Sequence, residues 1–104
     1  IMIRGVPLSS EAGRGPVVTT FRLGQNYPNP FNPSTILPLT IDRNARVTLS
    51  IYNELGRLVS SKEFDLLAGQ NKLPINGSNW ASGAYFARVS ANGQMQTAKL
   101  ILVK

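Results

Sequence analysis

The chain has 104 residues, no cysteine, no histidine, and eleven Lys and Arg against five Asp and Glu, for a formal charge of +6. That length allows one domain and hardly more, and the missing residue types exclude disulfides, thiol catalysis, imidazole general bases and the usual zinc ligands. The acids Glu11, Asp42, Glu54, Glu63 and Asp65 are scattered without ligand-like spacing, so neither a metal centre nor a catalytic carboxylate pair is expected, and no cofactor.

A basic domain is drawn to anionic surfaces. Here the cations are spread singly from Arg4 to Lys104, so the charge does not choose among nucleic acid, lipid, polysaccharide and acidic protein. No apolar run approaches the ~20 residues that span a bilayer, and no signal-peptide pattern opens the chain. Opening on Ile1, the sequence reads as a piece of a longer protein whose export signal, if it is secreted, lies upstream.

In chain order, residues 1–20 read as a linker or the tail of a preceding domain. Ile1-Met2-Ile3 is apolar, and residues 9–16 are small and polar with two glycines and a proline, as in exposed linkers. Residues 17–23 suggest a short first strand. The stretch Asn26-Tyr27-Pro28-Asn29-Pro30-Phe31-Asn32-Pro33-Ser34-Thr35 follows. Its prolines fix φ, lack amide donors and hold the residues before them out of helical geometry. This predicts a stiff strap at the margin of a β domain, with Tyr27 and Phe31 as apolar anchors and the asparagines bonding neighbouring backbone.

Beyond the strap, Leu37, Leu39 and Ile41 share one face of a strand that Pro38 assigns to an edge or a bulge. Residues 46–52 alternate cleanly, with Val47, Leu49 and Ile51 inward and Arg46, Thr48 and Ser50 outward. Asn53-Glu54-Leu55-Gly56 is a turn, and residues 57–64 return as a hairpin partner with Leu58 as the expected core contact. A short strand at 71–75 and a turn at Asn76-Gly77-Ser78-Asn79 deliver Trp80, expected in the core with Val47, Leu49, Ile51, Tyr85 and Val89. Residues 84–91 form a strand, Asn92-Gly93 a two-residue hairpin loop, and residues 95–103 a last strand, apolar on both faces at its end and hence expected to be central or covered. Gly83-x-Tyr85 has the form of a tyrosine corner. About seven short β runs without helical period predict an all-β, immunoglobulin-like antiparallel β-sandwich over residues 21–104, an open barrel being the competing architecture.

The strap, the hairpin Arg46-Val47-Thr48-Leu49-Ser50-Ile51-Tyr52-Asn53-Glu54-Leu55-Gly56-Arg57-Leu58-Val59, the Asn79-Trp80 turn, Ser82-Gly83-Ala84-Tyr85-Phe86-Ala87-Arg88-Val89 and the terminal Lys99-Leu100-Ile101-Leu102-Val103-Lys104 together resemble the type A C-terminal sorting domain of the type IX (Por) secretion system. The resemblance spans residues 21–104. Pro38, in a strand often without proline, and Asn79, in place of a frequent aspartate, depart from the pattern. It implies a non-catalytic sandwich that directs a multidomain parent through the periplasm and outer membrane to the cell surface or medium. Its implied partners are the outer-membrane export machinery and a surface sorting peptidase, with no nucleic acid and no small-molecule substrate. The recognition candidates are Lys99, Leu100, Ile101, Leu102, Val103 and Lys104 at the end, with Tyr27, Pro28, Asn29, Pro30 and Phe31 in the strap.

The alternative function is a carbohydrate-binding or adhesive β-module of a secreted enzyme, which needs Trp80 or another ring exposed in a groove. A nucleic-acid platform is disfavoured because the adjacent Tyr85 and Phe86 point to opposite faces of a strand. Ser34, Ser60 and Ser82 lack any neighbouring base for serine catalysis.

Overall fold

Alternation of apolar and polar residues over 46–52 sends every second side chain of an extended backbone to one side. In a computed structural model, which describes residues 21–104, this stretch lies within β3 (Ala45–Asn53), and Val47, Leu49 and Ile51 are buried. The other strands are β1 (Phe21–Leu23), β2 (Ser34–Ile41), β4 (Leu58–Leu66), β5 (Gly69–Asn76), β6 (Gly83–Ala91) and β7 (Gln94–Leu102). They form a three-stranded sheet in the order β1-β2-β5 and a four-stranded sheet in the order β4-β3-β6-β7, with antiparallel pairing throughout. The chain changes sheet between β2 and β3, β4 and β5, and β5 and β6, as in immunoglobulin-like sandwiches. The sheets share no strand, so the open barrel is not formed. The linker expected at 9–16, and the rest of residues 1–20, lie outside the described residues.

The inner faces meet in one core. Leu37, Leu39 and Ile41 of β2 and Leu73 and Ile75 of β5 pack towards Val47, Leu49, Ile51, Ala87, Val89, Leu100 and Leu102 of the larger sheet. Burying each large aliphatic side chain contributes roughly 1.5–3 kcal/mol before conformational entropy is subtracted. The turns use the chemistry read from the sequence. Asn53 Oδ1 accepts from the amides of Leu55 and Arg57 at 2.9 and 3.0 Å, and Gly56 takes φ 81°. Asn92 and Gly93, at φ 50° and 83°, join β6 to β7.

Four expectations need correction. Pro38 lies neither at an edge nor at a bulge: β2 is the middle strand of its sheet, and Pro38 pairs with Lys72 of β5. Its carbonyl accepts from Gly24 N at 2.9 Å on the other side, where the three-residue β1 has just ended. Because N and O of one strand residue point the same way, the missing donor faces that gap and costs β5 no bond.

Leu58 is 57% exposed rather than in the core. The β3–β4 register slips between Ile51 and Tyr52, so Ser60 sits opposite Ile51 and Leu58 opposite Tyr52, on the outer face. Val59, left over by the slip, packs against the core instead.

Trp80 is half-buried. The turn before it sets the ring at the end of the sandwich, against Tyr85 with ring centroids 5.0 Å apart. Lastly, β7 is not central. It is an edge strand whose inward Leu100 and Leu102 are buried while Val103 is 50% exposed.

The remaining edges carry protection against pairing with other chains. Pro74 removes a donor from β5, and Lys62 of β4 stands opposite Leu49, on the inner face, as a charge at the open lip of the sandwich.

Arg46 and Asp65 oppose each other across β3 and β4 with Nε–Oδ1 at 2.9 Å, and Glu63 Oε1 lies 3.3 Å from Arg46 Nη1. The guanidinium, hydrogen-bonded to Asp65, holds that carboxyl below the ordinary aspartate range. A group whose folded pKa is depressed stabilises the fold above its unfolded pKa, and the contribution disappears as pH falls through the folded value. Asp65→Asn is therefore expected to lower the melting temperature slightly at pH 7, because the pair is exposed, and the difference from the wild type should close in thermal melts carried into strong acid.

Candidate functional site

The sequence-level candidates form two groups, the strap and the end of the last strand, and the fold joins them. Asn26 and Thr35, each 2% exposed, bracket the strap. Asn26 Nδ2 donates to Thr35 Oγ1 at 3.0 Å, and both side chains donate to the Pro28 carbonyl, at 3.3 and 2.9 Å. The loop is thus clamped by buried polar groups that satisfy one another. The peptide bonds before Pro28, Pro30 and Pro33 are all cis.

From this clamp the strap reaches both sheets. Tyr27 exchanges backbone hydrogen bonds with Ile36 of β2, at 2.9 and 3.0 Å. Phe31 N donates to the Ile101 carbonyl at 2.9 Å, and Val103 N donates to the Phe31 carbonyl at 3.0 Å, a parallel bridge to the end of β7. Asn29 Oδ1 accepts from Ile101 N at 3.1 Å. The asparagine–backbone bonds expected of the strap are present. Of its two expected anchors, Phe31 is 1% exposed, but Tyr27 is 48% exposed and holds on through its backbone alone. Phe31 enters the core between the sheets, while Tyr27 belongs to a short bridge to β2 outside it.

Phe31 is received by a glycine. A Cβ at Gly77 would lie 3.0 Å from the Trp80 ring, 3.1 Å from Leu102 and 3.4 Å from the Phe31 ring, so an added methyl would require these side chains to give by a few tenths of an ångström. Gly77 N in turn donates to the Pro33 carbonyl at 2.8 Å. This is the part of the site that sequence reading missed, although Gly77 and Trp80 were both assigned to the same turn.

Among the terminal candidates, Leu100 and Leu102 are buried, Ile101 is half-buried, and Lys99, Val103 and Lys104 are exposed. Lys104 is tied down: its Nζ donates to the Ser78 carbonyl at 2.6 Å and its backbone N to Ser82 Oγ at 3.1 Å. The other end of β7 is hooked to β1 by Gln96, which donates to the Phe21 carbonyl at 2.8 Å and accepts from Leu23 N at 3.0 Å. The expected tyrosine corner is present, with the Tyr85 hydroxyl donating to the Ala81 carbonyl at 2.5 Å. The strap and the end of β7 are therefore joined through Asn29, Phe31, Ile101 and Val103.

The molecule is thus an immunoglobulin-like sandwich whose opening strap is bonded to the end of its last strand. A crystal structure of dimeric latent PorU from Porphyromonas gingivalis contains a similar fold, at a TM-score of 0.69 and 21% identity, over 92% of this chain and 10% of that one. The chain thus spans about a tenth of that protein's length. No curated protein matches the chain. The model of the secretion system C-terminal sorting domain matches residues 25–104, and the chain belongs to that family, the sorting domains of type IX secretion. The family is one of signal domains rather than catalysts, and membership implies export to the cell surface or the extracellular space.

Proposed function

We propose that residues 21–104 are the export address of a larger parent protein, without catalytic activity of their own, and that it is read through the joined strap and tail: Tyr27, Pro28, Asn29, Pro30 and Phe31 with Lys99, Leu100, Ile101, Leu102, Val103 and Lys104. Residues 1–20 serve as the connection to that parent. The observation that carries the reading is the bond set between Phe31 and Asn29 on one side and Ile101 and Val103 on the other. It joins two segments, distant in sequence, that this reading takes together as the signal. The proposed route runs through the periplasm and across the outer membrane. Its partners are the outer-membrane export machinery and a surface sorting peptidase that separates the domain from its parent.

Trp80 is not placed as a sugar platform: it packs on Tyr85, and the cavity beside it, lined by Leu49, Ile51 and Ile75, holds about 30 Å³, too little for a sugar ring.

The test joins the whole chain to a reporter carrying an inner-membrane export signal, in a bacterium that has the machinery and in a strain lacking it. Surface or medium delivery only in the former supports the reading, and retention in both overturns it. Within the same assay, Lys99→Glu with Lys104→Glu is expected to block delivery. Its melting temperature should stay within a few degrees of the wild type, since exposed substitutions shift stability by only about 0.5 kcal/mol. Normal delivery of this variant would remove the lysines from the signal.

A further inference from the structure

The register slip that moves Leu58 out of the core has a second effect. Across the outer face of the four-stranded sheet, Leu58 of β4 stands opposite Tyr52 of β3, Tyr52 opposite Phe86 of β6, and Phe86 opposite Lys99 of β7. One row thus crosses all four strands with three large apolar side chains in succession. Leu58 is 57% and Phe86 37% exposed. The rows beside it are what a solvent-facing sheet ordinarily shows: Ser61, Ser50, Arg88 and Thr97, then Glu63, Thr48, Ser90 and Met95.

Single exposed apolar residues need no explanation, but an aligned set of them marks a contact site. The row is flanked by cations. The Arg88 guanidinium lies 4.9 Å from the centre of the Tyr52 ring, Lys99 closes the row, and Arg57 precedes Leu58 in the chain. The one nearby acid, Glu54, accepts from Ala84 N at 3.2 Å. A groove of about 370 Å³ is lined by Tyr52, Phe86, Arg88 and Thr97 and, at its end, by Asn53, Glu54 and Gly56.

We propose that this row is a second docking surface, adjoining the tail at Lys99, for a protein of the export machinery that presents an apolar groove with an acidic rim. The proposal rests on the reading of the domain as an export address. Apolar side chains at the centre with arginine at their border are the composition of protein–protein hot spots. A sugar ring is a poorer fit: Arg88 already covers a face of Tyr52, and Leu58 offers no ring. A second copy of the chain is disfavoured because it offers the same excess of cations rather than an acidic complement.

The experiment uses the whole chain on the exported reporter. With wild-type delivery established in the machinery-bearing strain, Leu58→Glu, Phe86→Ser and Arg88→Glu are made singly. Each alters an exposed side chain, and each melting temperature is recorded. Delivery should fall about tenfold or more for the Phe86 and Arg88 variants, the effect of losing a hot-spot contact. In parallel, a photo-crosslinking residue at position 86 should capture a machinery component during export, and one at position 72, on the other sheet, should not. This readout stands even if a variant is unstable.

Wild-type delivery of all three variants, or no protein captured from position 86, overturns the docking surface and leaves the export reading intact. Capture of a second copy of the chain from position 86 overturns the choice of partner. Failure of the unaltered chain to be delivered is a separate result, which removes the export reading itself and this inference with it.

Discussion

Phe31→Ala should cost about 3–5 kcal/mol, the range for deleting a fully buried phenylalanine. Phe31 is 1% exposed and fills the space over Gly77 beside Trp80 and Leu102. No neighbour is placed to collapse into the hole, because Trp80 is held by its own turn bond to Gly77 and by Tyr85. For a domain of this size each kcal/mol corresponds to roughly 4–8 °C of melting temperature, so a fall of about 12 °C or more is expected. A fall of only a few degrees in a thermal melt would show that the strap is an ornament on a sandwich that stands without it. Phe31→Leu, which keeps most of the volume, should recover the greater part of the loss.

Removal of residues 102–104 should abolish delivery, and the structure separates two reasons for it. Leu102 is 1% exposed, and the amide of Val103 is one of the two strap–β7 backbone donors, so the deletion opens the core and unlatches Phe31 together. Its destabilisation should approach that of Phe31→Ala. Removing Lys104 alone takes away two surface hydrogen bonds, to Ser78 and Ser82, and leaves the core intact. Delivery and melting measured on both truncations discriminate. If the shorter deletion keeps its melting temperature and still fails to be delivered, the last lysine is read directly. If only the longer deletion fails, with a collapsed melting curve, the tail acts through the fold.

Period-two alternation was enough to place the core strands, because a pleated backbone leaves Val47, Leu49 and Ile51, or Leu37, Leu39 and Ile41, no other way to face. Turn chemistry at Asn53 and at Asn92-Gly93 was equally plain, since it depends on a residue and its immediate neighbours. What could not be read depended on partners far along the chain. Leu58 looked inward until the slip opposite Tyr52 was known. Pro38 looked like an edge residue because nothing in the sequence says that β1 stops one residue short of it. The tail read as central or covered by its hydrophobicity, and of the two it is an edge strand whose end the strap covers. Each element of the candidate surface was visible in the sequence, and their adjacency was not. Nor was the outer row, for Tyr52 and Phe86 meet only through the β3–β6 register.

The contact between Asn29 and Ile101 spans 72 positions of sequence. Loops of that length close late, after local hairpins have formed. A chain still emerging from the ribosome, or one clipped anywhere inside β7, cannot tie this knot, however well β3 and β4 have paired. On the proposed reading, the surface that grants passage is also the last to be assembled. The address then doubles as an inspection stamp: a parent protein is admitted for export only when β7 has been made and has found the strap laid down at the domain's beginning.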